Sequence, residues 1–182
     1  MTRSLLARLV VITAVVALAA PDLLAQAPDP APSRAAMERL KFMEGTWRGT
    51  AWMIRGNQRT QTDMVEIVEP KLGGTVLLVQ GLGTVADSGT GTPRTVHDAL
   101  AVISFDPRSG AYAMRSYIGS GQFGDFTVTL VDGGVSWTRE VPGGRIRNTA
   151  RYTAEEWHEI GEFSRDGSAW TQVMEIRLRR ES

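Results

Sequence analysis

The sequence contains no cysteine, which excludes disulfide bonds, thiolate nucleophiles, cysteine-ligated metal centres and lipid attachment through an N-terminal cysteine. Only two residues are histidines, so any histidine-based chemistry must use His97 or His158. The 20 basic residues equal the 20 acidic residues in number, so no global field attracts nucleic acid or an anionic membrane. A chain of 182 residues suffices for one domain with a sizeable core. Packing and backbone hydrogen bonds must therefore hold the fold, and no nucleic-acid partner is expected.

The first 25 residues have the pattern of a secretory signal peptide. Arg3 and Arg8 precede an apolar run at residues 9–20, which is too short to cross a bilayer comfortably and is followed by small residues. We expect cleavage after residue 25 and an exported protein, periplasmic or extracellular, with no integral membrane span in its mature form. A retained N-terminal anchor is the alternative. Residues 26–34 are rich in proline and are predicted to form a flexible linker.

A short helix and a change of periodicity mark the folded domain predicted for residues 35–180. Ser33 can cap a helix that extends to about Glu44, and Gly45 ends it. From Thr46 onward, apolar and polar residues alternate between glycine-rich turns. This alternation predicts ten strands, at residues 47–55, 58–69, 75–85, 95–105, 111–118, 126–131, 135–141, 145–153, 157–164 and 169–179. The short local turns favour an all-β domain with a single antiparallel up-and-down β-barrel, and a β-sandwich is the main alternative.

Three segments resemble secreted bacterial proteins of unknown function that have a calycin-type β-barrel. They are the helix that leads into Gly-Thr-Trp-Arg-Gly at residues 45–49, the segment Trp-His-Glu-Ile-Gly at residues 157–161, and residues 166–179. The resemblance covers about residues 36–180. The Gly-x-Trp opening is also similar to that of lipocalins, and the full five-residue segment is similar to that of nitrobindin-like haem barrels. The resemblance implies a calycin-like barrel.

The resemblance also implies structural roles for residues that close the barrel. Gly45 and Trp47 would lie at a closed end, and an arginine of the last strand, Arg177 or Arg179, would lie across the indole ring. Such a cation–π contact contributes roughly 0.5 to 2 kcal/mol. Nitrobindin-like barrels bind haem through a histidine near the C-terminus, whereas residues 172–176 here are Gln-Val-Met-Glu-Ile. No cofactor is therefore predicted, and haem is disfavoured.

Two sets of side chains are candidates for ligand binding inside such a barrel. Arg115 and Tyr117 are two residues apart on one strand, so they share a face. If that face lines the lumen, a cation and a phenol converge there; in the other register both residues face solvent. Trp137 and Trp157 can line an apolar pocket or serve only in packing.

The strands that contain Arg147 and Glu159 can form either a buried ion pair in the lumen or an ordinary ion pair on the outer surface. Glu159 shares a face with Trp157, and a cross-strand ion pair between Arg147 and Glu159 would mark a polar interior if it were buried. The neighbouring His158-Glu159 begins like a zinc-protease helix motif, but the second histidine is absent. We therefore predict no catalytic residue and no metal site.

These patterns favour an exported barrel that binds a small apolar or amphipathic molecule as a monomer or homodimer. Two alternatives remain open. One is a barrel enzyme of the isomerase or hydrolase type, although no constellation of residues supports it. The other is a structural or interaction barrel that is filled with its own side chains.

Overall fold

A computed structural model describes residues 29–181 as a short helical segment followed by ten β-strands. The signal peptide predicted for residues 1–25 and the start of the predicted linker lie outside the described residues. Helix α1 is Ala31–Glu38, so residues 31–34 of the predicted linker are helical. Among the described residues, no helix is both long enough and apolar enough to span a membrane.

Helix α1 begins and ends earlier than the sequence pattern predicted. Pro30, rather than Ser33, occupies the N-cap position. Pro32 follows in the first turn, where proline is favourable because its φ is already helical and no amide donor is needed there. The helix then tightens, since the Leu40 amide donates to the carbonyl of Met37 three residues back. A separate 3-10 turn, Lys41–Met43, replaces the predicted last helical turn.

All ten predicted strands are present. They are β1 Gly45–Arg55, β2 Gln58–Lys71, β3 Val76–Ala86, β4 Pro93–Asp106, β5 Ala111–Ile118, β6 Phe123–Val131, β7 Gly134–Val141, β8 Gly144–Tyr152, β9 Glu156–Ser164 and β10 Thr171–Arg180. Each strand pairs with the next in antiparallel fashion, and β1 also pairs with β10. The predicted up-and-down barrel is confirmed, and the β-sandwich alternative is wrong because the sheet closes on itself.

The helical segment packs across one end of the barrel, which we call the closed end. Met37 and Leu40 are buried there, and Tyr112 Oη donates a 2.8 Å hydrogen bond to the Ala36 carbonyl. Trp47 is fully buried at the start of β1, and its Nε1 donates a 2.9 Å hydrogen bond to the carbonyl at the end of the 3-10 turn. The hairpin turn between β1 and β2 lies at the opposite end.

Arg180 fastens the last strand to the closed end. Its guanidinium lies 4.0 Å from the ring centre of Trp47. It also donates hydrogen bonds to the carbonyls of Phe42 and Ala154, both at 2.9 Å, and to the carbonyl of Glu44. One side chain thereby joins β10 to the helical segment and to the turn between β8 and β9.

The arginine over Trp47 is therefore Arg180, and this corrects the prediction of Arg177 or Arg179. In the β1–β10 register, Trp47 lies opposite Arg180. Arg177 and Arg179 are exposed on the outer face of the same strand, and Arg177 Nε donates a 2.9 Å hydrogen bond to a carboxylate there. The predicted strand ended one residue too early to include the inward-facing arginine. Gly45 makes room for this arginine, since a Cβ at that position would lie 2.6 Å from Arg180 Nη1.

Candidate ligand site

Four polar side chains are buried in the barrel interior next to the closed end. They are Glu66 on β2, Tyr152 on β8, and Trp157 and Glu159 on β9, and each is at most 9% exposed. The ring centres of Tyr152 and Trp157 are 5.0 Å apart. Trp157 also meets Trp47 edge-on, with 6.1 Å between ring centres. We call the four residues the interior polar cluster.

Strand register and a glycine position this cluster. Tyr152 lies directly opposite Trp157 in the β8–β9 register, and alternation along β9 turns Glu159 to the same side. Glu66 lies opposite Gly81 of β3. A Cβ at Gly81 would lie 2.6 Å from Glu66 Oε1, so only glycine leaves the present space for this carboxyl.

Two donors of the cluster are buried without a hydrogen-bond partner among the described residues. These atoms are Tyr152 Oη and Trp157 Nε1. The Trp157 N–H lies close enough to Glu159 to lower the pKa of that carboxyl, but it does not reach hydrogen-bonding geometry. Leaving a buried polar group unsatisfied costs about 1–3 kcal/mol, and folded proteins rarely do so. The cluster therefore has hydrogen-bonding capacity to offer to another molecule.

Burial raises the pKa of both carboxyl groups. The pKa of Glu159 is raised to about 7 by burial, against the opposing effects of the Trp157 N–H and of Arg139. The pKa of Glu66 is raised well above its ordinary value by burial and by the charge of Glu159. Burial and the two carboxylates also raise the pKa of Tyr152. Near neutral pH the cluster consequently presents hydrogen-bond donors and acceptors with less negative charge than two ordinary carboxylates would carry.

Strand β7 adds Trp137 and Arg139 to the inner wall. Trp137 packs against the buried core, and Arg139 follows two residues later on the same face. Burial lowers the pKa of the Arg139 guanidinium, whereas the charge of Glu159 raises it. The Arg139 side chain nevertheless remains exposed to solvent. Water therefore reaches the inner wall at this position.

No protein-family model matches the sequence, and no curated protein matches it. Solved structures do resemble it. The crystal structure of Rv2717c from M. tuberculosis gives a TM-score of 0.57 at 13% identity and covers 81% of this chain and 98% of that chain. The S-type phycobiliprotein lyase CPES from Guillardia theta gives a TM-score of 0.50 at 8% identity, with 85% and 98% covered. Both are lipocalin-like barrels, so the chain has a lipocalin-like fold; at these identities the likeness concerns the fold alone.

Three of the six residues predicted for ligand binding lie in the interior: Trp137, Trp157 and Glu159. Arg115 and Tyr117 do not, because buried Met114 faces inward and alternation turns its neighbours outward. Arg115 forms hydrogen bonds of 2.6 and 2.8 Å with Asp125. Tyr117 is 38% exposed. Both line a groove of about 530 Å³ on the outer wall, over β4, β5 and β6.

Arg147 also lies on the outer wall, and its partner is Glu162 rather than the predicted Glu159. Its Nη2 is 2.9 Å from Glu162 Oε2, and its guanidinium lies 4.2 Å from the ring centre of Trp170. In the β8–β9 register, Arg147 lies opposite Glu162, whereas Glu159 lies opposite Ala150. The predicted pair does not form because Arg147 and Glu159 project from opposite faces of the sheet.

The histidine next to Glu159 also points outward. His158 Nε2 is 2.9 Å from Glu175 Oε1, and the same carboxylate accepts hydrogen bonds from Trp52 and Arg177. These hydrogen bonds lower the pKa of Glu175. Within residues 29–181, no group of three or more histidine and carboxylate side chains is arranged to hold a metal ion.

Glu66, Tyr152 and Arg139 were not predicted as site residues from the sequence. The sequence signal for Glu66 is its position in the alternation of β2, because it occupies the same face as the apolar Met64 and Val68. A carboxylate in that position breaks an apolar stripe. Gly81, which lies opposite Glu66 on β3, is a second signal, although the pairing of the two residues is known only from the strand register.

Proposed function

We propose that the protein is a binding protein that holds a small amphipathic molecule in its barrel. The observation that carries this proposal is the pair of buried, unpartnered donors among the described residues, Tyr152 Oη and Trp157 Nε1. A ligand whose polar end reaches the interior polar cluster would supply the missing hydrogen bonds. Its apolar body would lie against Met114, Phe126 and Trp137, which belong to the core or pack against it.

The cluster favours a ligand with an uncharged polar group. A carboxylate or phosphate would lie beside Glu66 and Glu159, and its charge would oppose theirs. A hydroxyl, carbonyl or amide group can accept from Tyr152 and Trp157 while the carboxyl groups keep their protons. The raised pKa of Glu159, about 7, supports this choice of head group.

Head-group preference tests the proposal directly. We expect 1-dodecanol to displace the fluorescent probe N-phenyl-1-naphthylamine at lower concentration than dodecanoate does at pH 7. Tyr152→Phe should weaken dodecanol binding about threefold to tenfold, the effect of one hydrogen bond, without lowering the stability of the free protein. Tyr117→Phe, on the outer wall, is the matched control and should change neither property. Failure of the unchanged protein to bind the probe, or equal weakening in both variants, would contradict the proposal.

A barrel enzyme is the second candidate, and Glu159 is the observation that favours it. A carboxyl with a pKa of about 7 can act as a general acid or base near neutral pH. A related fold is found in a phycobiliprotein lyase, so we infer that this architecture is compatible with catalysis. Turnover of a bound amphiphile that is lost in Glu159→Gln while binding persists would establish this candidate over simple binding.

We further propose that the protein acts after export. The support is the basic start and the apolar run within residues 1–25. Fractionation of cells that express the full chain, followed by intact mass measurement, should find a shortened protein outside the cytoplasm. Full-length protein in the cytoplasm would contradict this proposal.

We propose no haem-based function. Met174 on the last strand packs against the core, and His158 is hydrogen-bonded to Glu175 on the outer wall. This expectation remains a prediction, and a Soret band with histidine-ligated character after reconstitution with hemin would contradict it.

A further inference from the structure

The barrel wall is incompletely paired between β6 and β7. These strands pair only beside their hairpin turn, at three positions: Thr129 with Ser136, Leu130 with Val135, and Val131 with Gly134. Every other pair of neighbouring strands is joined at six or more positions. The wall is therefore open between residues 123–128 of β6 and residues 137–141 of β7. We call this opening the β6–β7 seam.

A cavity of about 450 Å³ lies at the seam. It is lined by Asp125, Phe126, Thr127, Thr129, Ser136, Trp137 and Thr138. Phe126 and Trp137 pack toward the core, whereas Thr127 and Thr138 are exposed. Five of these residues face outward, so the cavity lies on the outer wall where the two strands do not pair, and the inward-facing Phe126 and Trp137 also contribute to its lining. Its polar outer rim also lets water hydrogen-bond to the backbone N–H and C=O groups that have no partner strand along the seam.

The seam leads to the interior polar cluster. Arg139 follows Trp137 on the inner face of β7, is exposed to solvent and interacts electrostatically with Glu159. A molecule that passes between β6 and β7 would therefore reach the inner wall at Trp137 and Arg139, and the buried carboxyls lie farther along the same wall, toward the closed end. Apolar side chains before a set of hydrogen-bonding groups suit a molecule with a polar head and an apolar chain.

We propose that the β6–β7 seam is the entrance to the ligand site, and that the ligand is an elongated single-chain amphiphile that extends from the interior polar cluster into the seam. Its polar head lies at the cluster, and its chain lies against Phe126 and Trp137. This inference rests on the proposed function, because a seam can only admit a ligand that the interior binds. The closed end is covered by helix α1, which leaves the seam and the opposite end of the barrel as the routes to compare.

The absence of cysteine permits a direct test with an engineered disulfide. Continuing the hairpin register would place Thr127 opposite Thr138, so Thr127→Cys/Thr138→Cys can form a disulfide only when the seam closes, since the two Cα atoms must approach to roughly 4.4–6.8 Å. The matched control is Thr50→Cys/Asp63→Cys, which bridges exposed, directly opposite residues of β1 and β2.

Stopped-flow measurements with N-phenyl-1-naphthylamine, and with 1-dodecanol as competitor, report entry into the barrel. We expect the oxidised seam variant to take up and release the probe at least tenfold more slowly than the unchanged protein, and reduction to restore the rates. The oxidised control should keep unchanged rates. Where the seam disulfide does not form, Thr138→Cys alkylated with a bulky maleimide should slow entry, and alkylated Thr50→Cys should not.

The outcomes separate this inference from the proposed function. Unchanged rates in both seam variants, with probe binding intact, would overturn the seam as entrance and leave the binding function standing. Equal slowing in the controls would also overturn it, because a general effect on the barrel would then explain the result. Failure of the unchanged protein to bind the probe would refute the binding function and this inference with it.

Discussion

Replacing Glu159 with glutamine should remove a pH dependence of stability that the fold itself creates. The pKa of Glu159 is about 7 in the folded protein, against an ordinary value of 4.5. Between these two pH values the folded protein holds a proton that the unfolded chain has lost. The stabilising effect of this proton is fully present below about pH 4.5, and it is lost as the pH rises to about 7. The protein should therefore become less stable over this window.

The size of the effect follows from the pKa difference. One pKa unit corresponds to about 1.4 kcal/mol, so Glu159 alone accounts for a loss of about 3 kcal/mol between acidic and mildly alkaline pH. Glu66 adds to the loss, because burial raises its pKa in the same direction. Glutamine has nearly the shape of protonated glutamate and does not titrate. Glu159→Gln should therefore match the unchanged protein near pH 4.5 and exceed its stability by up to about 3 kcal/mol at pH 8.

Urea denaturation at pH 4.5, 6 and 8 measures the free energy of unfolding for this comparison. Glu162→Gln is the matched control, because it changes a carboxylate on the outer face of the same strand and removes only a partly exposed ion pair. Its pH profile should follow that of the unchanged protein. If Glu159→Gln keeps the full pH dependence, or is destabilised equally at every pH, burial does not hold a proton on Glu159.

Two further substitutions test how the barrel is held and how its interior is shaped. Arg180→Ala removes three hydrogen bonds and the contact with Trp47, and should lower the free energy of unfolding by about 2–4 kcal/mol, whereas exposed Arg179→Ala should lower it by less than about 0.5 kcal/mol. Gly81→Ala should cost about 1–3 kcal/mol through its clash with Glu66, and Glu66→Ala in the same chain should recover part of that cost. Urea denaturation measures the free energy of unfolding of all these variants. Equal losses in Arg180→Ala and Arg179→Ala would contradict the first prediction, and no recovery in the Gly81→Ala/Glu66→Ala variant would contradict the second.

The architecture could be predicted from the sequence because it depends on local signals. Residues 56–57 form a Gly-Asn turn between two alternating segments, and β1 and β2 pair on either side of it. Turns or loops of two to six residues connect each strand to the next, which leaves an up-and-down barrel as the natural closure. The end of helix α1 was harder to predict, since Met37 and Leu40 continue the apolar stripe beyond the helix into a tighter turn.

The site was predicted only in part because alternation groups residues without orienting them. The alternation of β5 assigns Arg115 and Tyr117 to one face and Tyr112 and Met114 to the other. Which of the two faces is buried depends on tertiary packing, and here it is the face of Tyr112 and Met114. Glu66 was overlooked for a related reason. A charged residue in a strand is normally assigned to the solvent face, and here the apolar neighbours on the same face determine its direction instead.

The shape of the interior argues against a barrel filled only to hold itself together. An apolar side chain in place of Glu66 would avoid the cost of burying a carboxyl, yet the chain keeps the carboxyl and places Gly81 opposite it to give it room. Gly161 plays a comparable part, since a Cβ there would lie 3.0 Å from the Oδ1 of buried Asn148. Burying these polar groups lowers the stability of the protein when no ligand is bound. It becomes favourable when a bound molecule satisfies Tyr152 and its neighbours, which is why these polar groups point to a ligand rather than to structure alone.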